Sequence, residues 1–140
     1  PTRRSSDLTV CDRENFRLQT FTTDGEYVEQ VHMHRPMAIT DGKGDDTNLY
    51  VAEAGAPPVQ DGVRRLGQRV VVMDRDGNEL TRFGDELMGE GHDQFIAPHG
   101  MAVDSEGSVY IAEVSYTAYG SKLDPVREVT SLRKWKRVSG

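Results

Sequence analysis

A chain of 140 residues is the size of one domain, and its 23 acidic against 17 basic residues give a formal net charge of -6. Such a surface offers no electrostatic footprint for a nucleic-acid backbone, and no run of 18 apolar residues reads as a helical membrane span. Cys11 is the single cysteine, which excludes an internal disulfide and leaves the redox compartment open.

In chain order, Pro1 to Leu8 reads PTRRSSDL, which is similar to the in-frame translation of a common DNA-sequencing adapter. Residues 1–8 are therefore expected to be non-native, with the domain proper over 9–140 and its authentic start missing. No apolar core of a signal peptide is present there. Residues 9–31 read as three short strands, broken by Asp12-Arg13-Glu14-Asn15 and by the Asp24-Gly25 turn. Asp12 to Asn15 is a polar hairpin connection. Arg13 either makes a surface ion pair there or offers its rigid planar fork to an anionic group. His32 and His34 follow in loop-like contexts, as does His92 further on, and all three read as ordinary polar side chains.

Residues 36–83 carry four strands, among them Pro36-Met37-Ala38-Ile39, Leu49-Tyr50-Val51-Ala52-Glu53 and Val70-Val71-Val72-Met73. Arg64 to Val71 imitates a helical stripe, but the β-branched run favours a strand. Asp41, Asp45 and Asp46 resemble a calcium loop only in being acidic. They lack its alternating oxygen ligands and terminal Glu, so a solvated insertion is expected. Residues 99–137 supply three more strands. His99 stands between Pro98, which fixes φ, and Gly100, which allows close backbone approach, so its imidazole direction is well defined. By itself it is one ligand where a zinc centre needs three or four. Tyr116 and Tyr119 lie in an insertion after Glu113, where their phenols either line a binding face or cover the open end of the strands. Ser115 has no ordered His and acid partner for nucleophilic catalysis. In Arg133-Lys134-Trp135-Lys136-Arg137, alternation with Leu132 and Trp135 reads as a strand with one solvated face.

Two patterns recur. The pair Pro36 to Ile39 and Leu49 to Glu53 is repeated by Pro98 to Val103 and Val109 to Glu113, placing Tyr50 and Tyr110 60 residues apart. Phe16 to Phe21 before Asp24-Gly25 is repeated by Val70 to Met73 before Asp76-Gly77, 52 residues later. In the Asp76-Gly77-Asn78 and Asp104-Ser105-Glu106-Gly107 turns the Asp carboxylate accepts backbone N–H bonds and Gly takes φ > 0. With the loop insertions at 41–47 and 54–66 removed, the period approaches the roughly 40–50 residues of propeller repeats. The expected fold is all-β: a β-propeller fragment of ten strands in about two and a half four-stranded antiparallel blades. Since propellers close with roughly four to eight blades, two uncovered blade flanks follow, with marginal stability alone or assembly with missing sequence.

The stretch Pro98-His99-Gly100-Met101-Ala102-Val103-Asp104 through Val109-Tyr110-Ile111-Ala112-Glu113 resembles an NHL repeat, and nearly all of 9–113 fits that family. Val10-Cys11-Asp12-Arg13-Glu14-Asn15-Phe16-Arg17-Leu18-Gln19 further resembles the matching strand and turn of the peptidyl-α-hydroxyglycine α-amidating lyases. That resemblance implies a six-bladed parent that splits peptidyl-α-hydroxyglycine into a peptide amide and glyoxylate. It implies zinc held by three histidines from different blades, with a structural calcium nearby. Carried over, Arg13 matches an active-site arginine and His99 one zinc-binding histidine, while the intervening Met37 stands where the lyases also lack one. The chain departs from the lyases at Gly100, where they carry aspartate, at Phe16, which replaces a glycine, and in the insertions at 54–66 and 114–128. The resemblance points to a secreted or periplasmic parent whose missing blades are partners of this fragment, itself inactive. The competing expectation is a noncatalytic propeller scaffold that binds protein, peptide or carbohydrate through its variable loops.

Overall fold

A computed structural model describes residues 6–60, 63, 66–85 and 87–138; most of the expected non-native segment, residues 1–5, lies outside them. The fold is all-β, and the described residues form ten strands in three small antiparallel sheets. The first sheet contains β1 (Leu8–Asp12), β2 (Arg17–Phe21) and β3 (Tyr27–His32), in that order. The middle sheet runs through β4 (Pro36–Asp41), β5 (Leu49–Glu53), β6 (Arg69–Met73) and β7 (Glu79–Phe83). The last sheet has β9 (Val109–Glu113) between β8 (Pro98–Val103) and β10 (Leu132–Trp135). The grouping of three, four and three strands matches the sequence reading, with the first strand starting one residue earlier, where Leu8 pairs with Phe21.

The sheets pack face to face, and period-2 side-chain alternation decides what each face meets. Leu49, Val51, Val71 and Met73 of the middle sheet face the first sheet, around Leu18 with Cys11 and Met33. Their neighbours Tyr50, Val70 and Val72 face the last sheet, around Val109, Ile111 and Phe95. A strand covered on both faces has no position for a solvated side chain, which is why β5 reads Leu-Tyr-Val-Ala-Glu and is buried throughout. The rings of Phe83, Phe95 and Trp135 close the second contact, with Phe95 and Trp135 centroids 5.3 Å apart.

Tight turns fix the register. Asp74 Oδ1 accepts the N–H groups of Asp76 and Asn78, and Asp104 Oδ1 those of Glu106 and Ser108. Gly77 and Gly107 take φ of 86° and 80°. In the first of these turns the acceptor is Asp74, two residues before the Asp76 of the sequence motif, because the carboxylate must precede the amides it caps.

Two local expectations are corrected. Leu132 and Trp135 lie on opposite faces of β10, as an odd spacing requires: Trp135 points into the core while Leu132 is 63% exposed. His32, expected in a loop-like context, instead closes β3, and the insertion after Glu113 is locally ordered. It forms a one-turn helix α1 (Ser115–Ala118) and a 3-10 turn (Gly120–Lys122).

Candidate functional site

The first strands of the middle and last sheets begin alike. Pro36 stands opposite Glu53 and Ala38 opposite Ala52, leaving Met37 as an extra residue; Pro98 stands opposite Glu113 and Gly100 opposite Ala112, leaving His99. Both positions are β-bulges, which take one side chain out of the ladder and re-aim it. Gly100 is not what permits this. A methyl group there would meet Ala112 Cβ at an ordinary 3.7 Å, and its φ is not left-handed. The bulge, not the glycine, sets the His99 direction.

Each bulge is anchored by a buried glutamate. Proline has no N–H to give the ladder, and the opposing carboxylate accepts the amides just before it. Glu53 Oε1 takes the His34 N–H at 3.1 Å. Glu113 Oε2 takes the N–H groups of Ile96 and Ala97, at 2.5 and 2.9 Å. An arginine from the adjacent strand neutralises each acid: Arg69 for Glu53, and Arg133 for Glu113 at 2.7 Å. The first sheet repeats the pair in more exposed form, with Arg17 Nε 2.8 Å from Asp12. Asp12–Arg17 and Glu53–Arg69 are directly opposed strand partners, whereas Arg133, opposite Ile111, reaches Glu113 diagonally. Burial is the main influence on Glu53 and pushes its carboxyl above the usual range, against the pull of Arg69. Sequence reasoning missed these pairs. The repeated Glu closing Leu49 to Glu53 and Val109 to Glu113 was the available signal.

Arg13 sits in the one-turn 3-10 helix between β1 and β2, just before Phe16, whose φ of 56° places it in the left-handed region. Its Nε lies 2.8 Å from Glu14 Oε1, and its Nη1 donates to the thioether of Met37 at 3.3 Å. Arg13 therefore makes the expected surface ion pair, and it also lines a cavity. That cavity, of about 520 Å³, is lined by Arg13, Arg35, Met37, Pro98, His99 and Lys122 among others. Arg13 and His99, singled out separately in the sequence, come together there with Met37 between them. His99 is exposed, and no described residue hydrogen-bonds its imidazole.

The remaining candidates separate from this site. Tyr116 is 44% exposed on α1 and Tyr119 is half-buried after it; the cavity wall from this segment is Val114, Thr117, Ala118 and Lys122 instead. Ser115 is buried, with its hydroxyl on the Val129 carbonyl. Burial pushes the Cys11 thiol up to about 11, which keeps it protonated and unreactive. Asp46 accepts from the Tyr50 hydroxyl at 2.7 Å and Asp41 pairs with Arg75, so these two are committed to turns, while Asp45 is exposed. Among the described residues no three His, Cys, Asp or Glu side chains are grouped so as to hold a metal ion. His34 lies in the connection between β3 and β4, as expected, but it is not an ordinary exposed side chain. It is buried against Phe16, with Nε2 unpartnered, and burial, then Arg69 and Arg35, hold its imidazole below the usual range. A second cavity, of about 570 Å³, is the rim of the apolar contact between the middle and last sheets around Tyr50, Phe83 and Trp135.

No family model matches this chain, and no curated protein matches it. No described helix is long and apolar enough to cross a membrane.

Proposed function

We propose that the chain is a stretch of NHL-type β-propeller of the amidating-lyase-like branch, and that the Arg13–His99 cavity is the channel end where its ligand binds. One observation carries the reading: three consecutive sheets, through Arg13, Met37 and His99, contribute to a single cavity. Support for further blades comes from the outer sheets. Leu8 and Val10 are 56% and 47% exposed at strand positions matching Leu49 and Val51, which are 3% and 0% exposed in the middle sheet.

In this reading Arg13 offers its guanidinium to a substrate carboxylate and to negative charge developing as the carbon–nitrogen bond breaks. Zinc and calcium are what the resemblance implies for a complete protein. The described residues supply His99 alone at the cavity, so they do not fit a zinc centre by themselves. The fragment alone is inactive. The second reading is a noncatalytic scaffold for protein, peptide or carbohydrate. It is favoured by Tyr116, which is exposed on α1 beside the cavity rather than in it.

The test is to recover the flanking coding sequence and assay the longer protein with a peptidyl-α-hydroxyglycine, alongside metal analysis. Release of amide and glyoxylate, lowered about 10²-fold in kcat by Arg13→Ala, supports the lyase. A metal-free protein that binds peptide without cleaving it leaves the scaffold.

A further inference from the structure

The cavity is electrostatically unlike the rest of this acidic chain. Arg13, Arg35 and Lys122 line it, and among the described residues no carboxylate does. Arg13 Nε and Arg35 Nη2 converge on one oxygen, Glu14 Oε1, at 2.8 and 2.7 Å. Glu14 thus serves two guanidiniums at once, and its carboxyl is held below the usual range chiefly by the Arg35 hydrogen bond. The nearby acids Glu53 and Glu113 are each matched by an arginine of their own. Lys122 is exposed at the mouth and has no ion pair among the described residues. Among the described residues, three cations against one shared carboxylate leave two positive charges unbalanced.

Arg35 is the unexpected member. Its φ of 32° is left-handed, directly before Pro36, in a position that favours extended backbone. Such a conformation is strained and persists only where surrounding contacts over-determine it. Here they do: Nη1 donates to the Gly55 carbonyl at 2.5 Å, and its own carbonyl accepts the Ala54 N–H. Its Nε is buried without a partner. The guanidinium is therefore fixed at the cavity wall before any ligand arrives, which lowers the ordering cost of binding. Met37, Met88, Ile96 and Ala118 give the same cavity an apolar side.

We infer that this cavity binds an organic dianion with an apolar body, and that Arg35 and Lys122 give it preference for two negative charges over one. The inference rests on reading the cavity as a ligand site, but not on lyase chemistry or on further blades. Glu14 is the internal competitor that a ligand carboxylate displaces.

The probes are adipate and hexanoate, which share a six-carbon skeleton and differ by one carboxylate. Each is titrated into the 140-residue chain by calorimetry at fixed ionic strength. Adipate is expected to bind about tenfold more tightly than hexanoate. Lys122→Gln, an exposed change that leaves the fold alone, is expected to remove most of that preference. Arg35→Gln should weaken adipate by a further tenfold or so, while Glu14→Gln should strengthen both ligands. Equal affinity for the two acids, or a Lys122→Gln variant with the preference intact, overturns the inference. Because the assay needs no turnover, a failure here is distinguishable from failure of the longer protein to cleave peptide.

Discussion

The first and middle sheets carry the same strand grammar in different surroundings, and the contrast shows what neighbours contribute. Leu8, Val10, Asp12 and Arg17 occupy the positions of Leu49, Val51, Glu53 and Arg69. In the middle sheet these residues are covered on both sides; in the first, one face is open. Burying a leucine or valine is worth about 1.5–3 kcal/mol over leaving it exposed, so identical patterns yield different stabilities. What a residue is worth depends on the adjacent sheet as much as on its own strand.

The largest expected effect is at the acid–arginine pairs. Glu53→Gln removes the buried carboxylate charge that Arg69 and the His34 N–H share and is expected to cost about 3–5 kcal/mol, measured by urea denaturation. Asp12→Asn, in the half-exposed counterpart, should leave the urea midpoint almost where it was. Equal losses would break the comparison. Next, Leu49→Ala is expected to cost about 2–5 kcal/mol, against no more than about 0.5 kcal/mol for Leu8→Ala. A large loss at Leu8 would mean that its face is covered in solution, and sedimentation would then reveal an assembly.

A smaller effect tests the turn that carries Arg13. Phe16 holds a left-handed φ that glycine adopts without penalty, and the resembled lyases carry glycine there. Both Phe16→Gly and Phe16→Ala lose the contact with the His34 ring, so their difference isolates the backbone. The glycine variant should be the more stable by about 1 kcal/mol.

The smallest effect is in pH. His34 has its folded-state pKa depressed below the ordinary 6.5, first by burial. A depressed pKa means that the unfolded chain takes up the proton first. The stability it contributes is full above about pH 6.5 and is lost as pH falls toward the folded value. The urea midpoint should drop between about pH 7.5 and 5.5, and His34→Gln should flatten that slope. An unchanged slope would show that the orphan Nε2 is not what senses the proton.

Strand number and grouping were legible in the sequence because period-2 runs bounded by turns of Asp and Gly survive in each sheet. The bulges were not, since one extra residue leaves the apolar pattern intact on either side of it. The acid–arginine pairs were hidden by spacing: 5 residues separate Asp12 from Arg17, 16 separate Glu53 from Arg69, and 20 separate Glu113 from Arg133. Only the cross-strand register makes them one motif. Arg13 and His99 were visible as candidates through resemblance. Arg35 was not, because nothing in a His-Arg-Pro stretch announces a left-handed backbone.

The bulges at Met37 and His99 have one more consequence. Each holds a residue that owes nothing to strand pairing and faces open space rather than the packed interior. Selection can exchange thioether for imidazole at such a slot without renegotiating the sheet beneath it. A scaffold that repeats the slot separates its chemistry from its architecture, and can acquire or discard reactivity one side chain at a time.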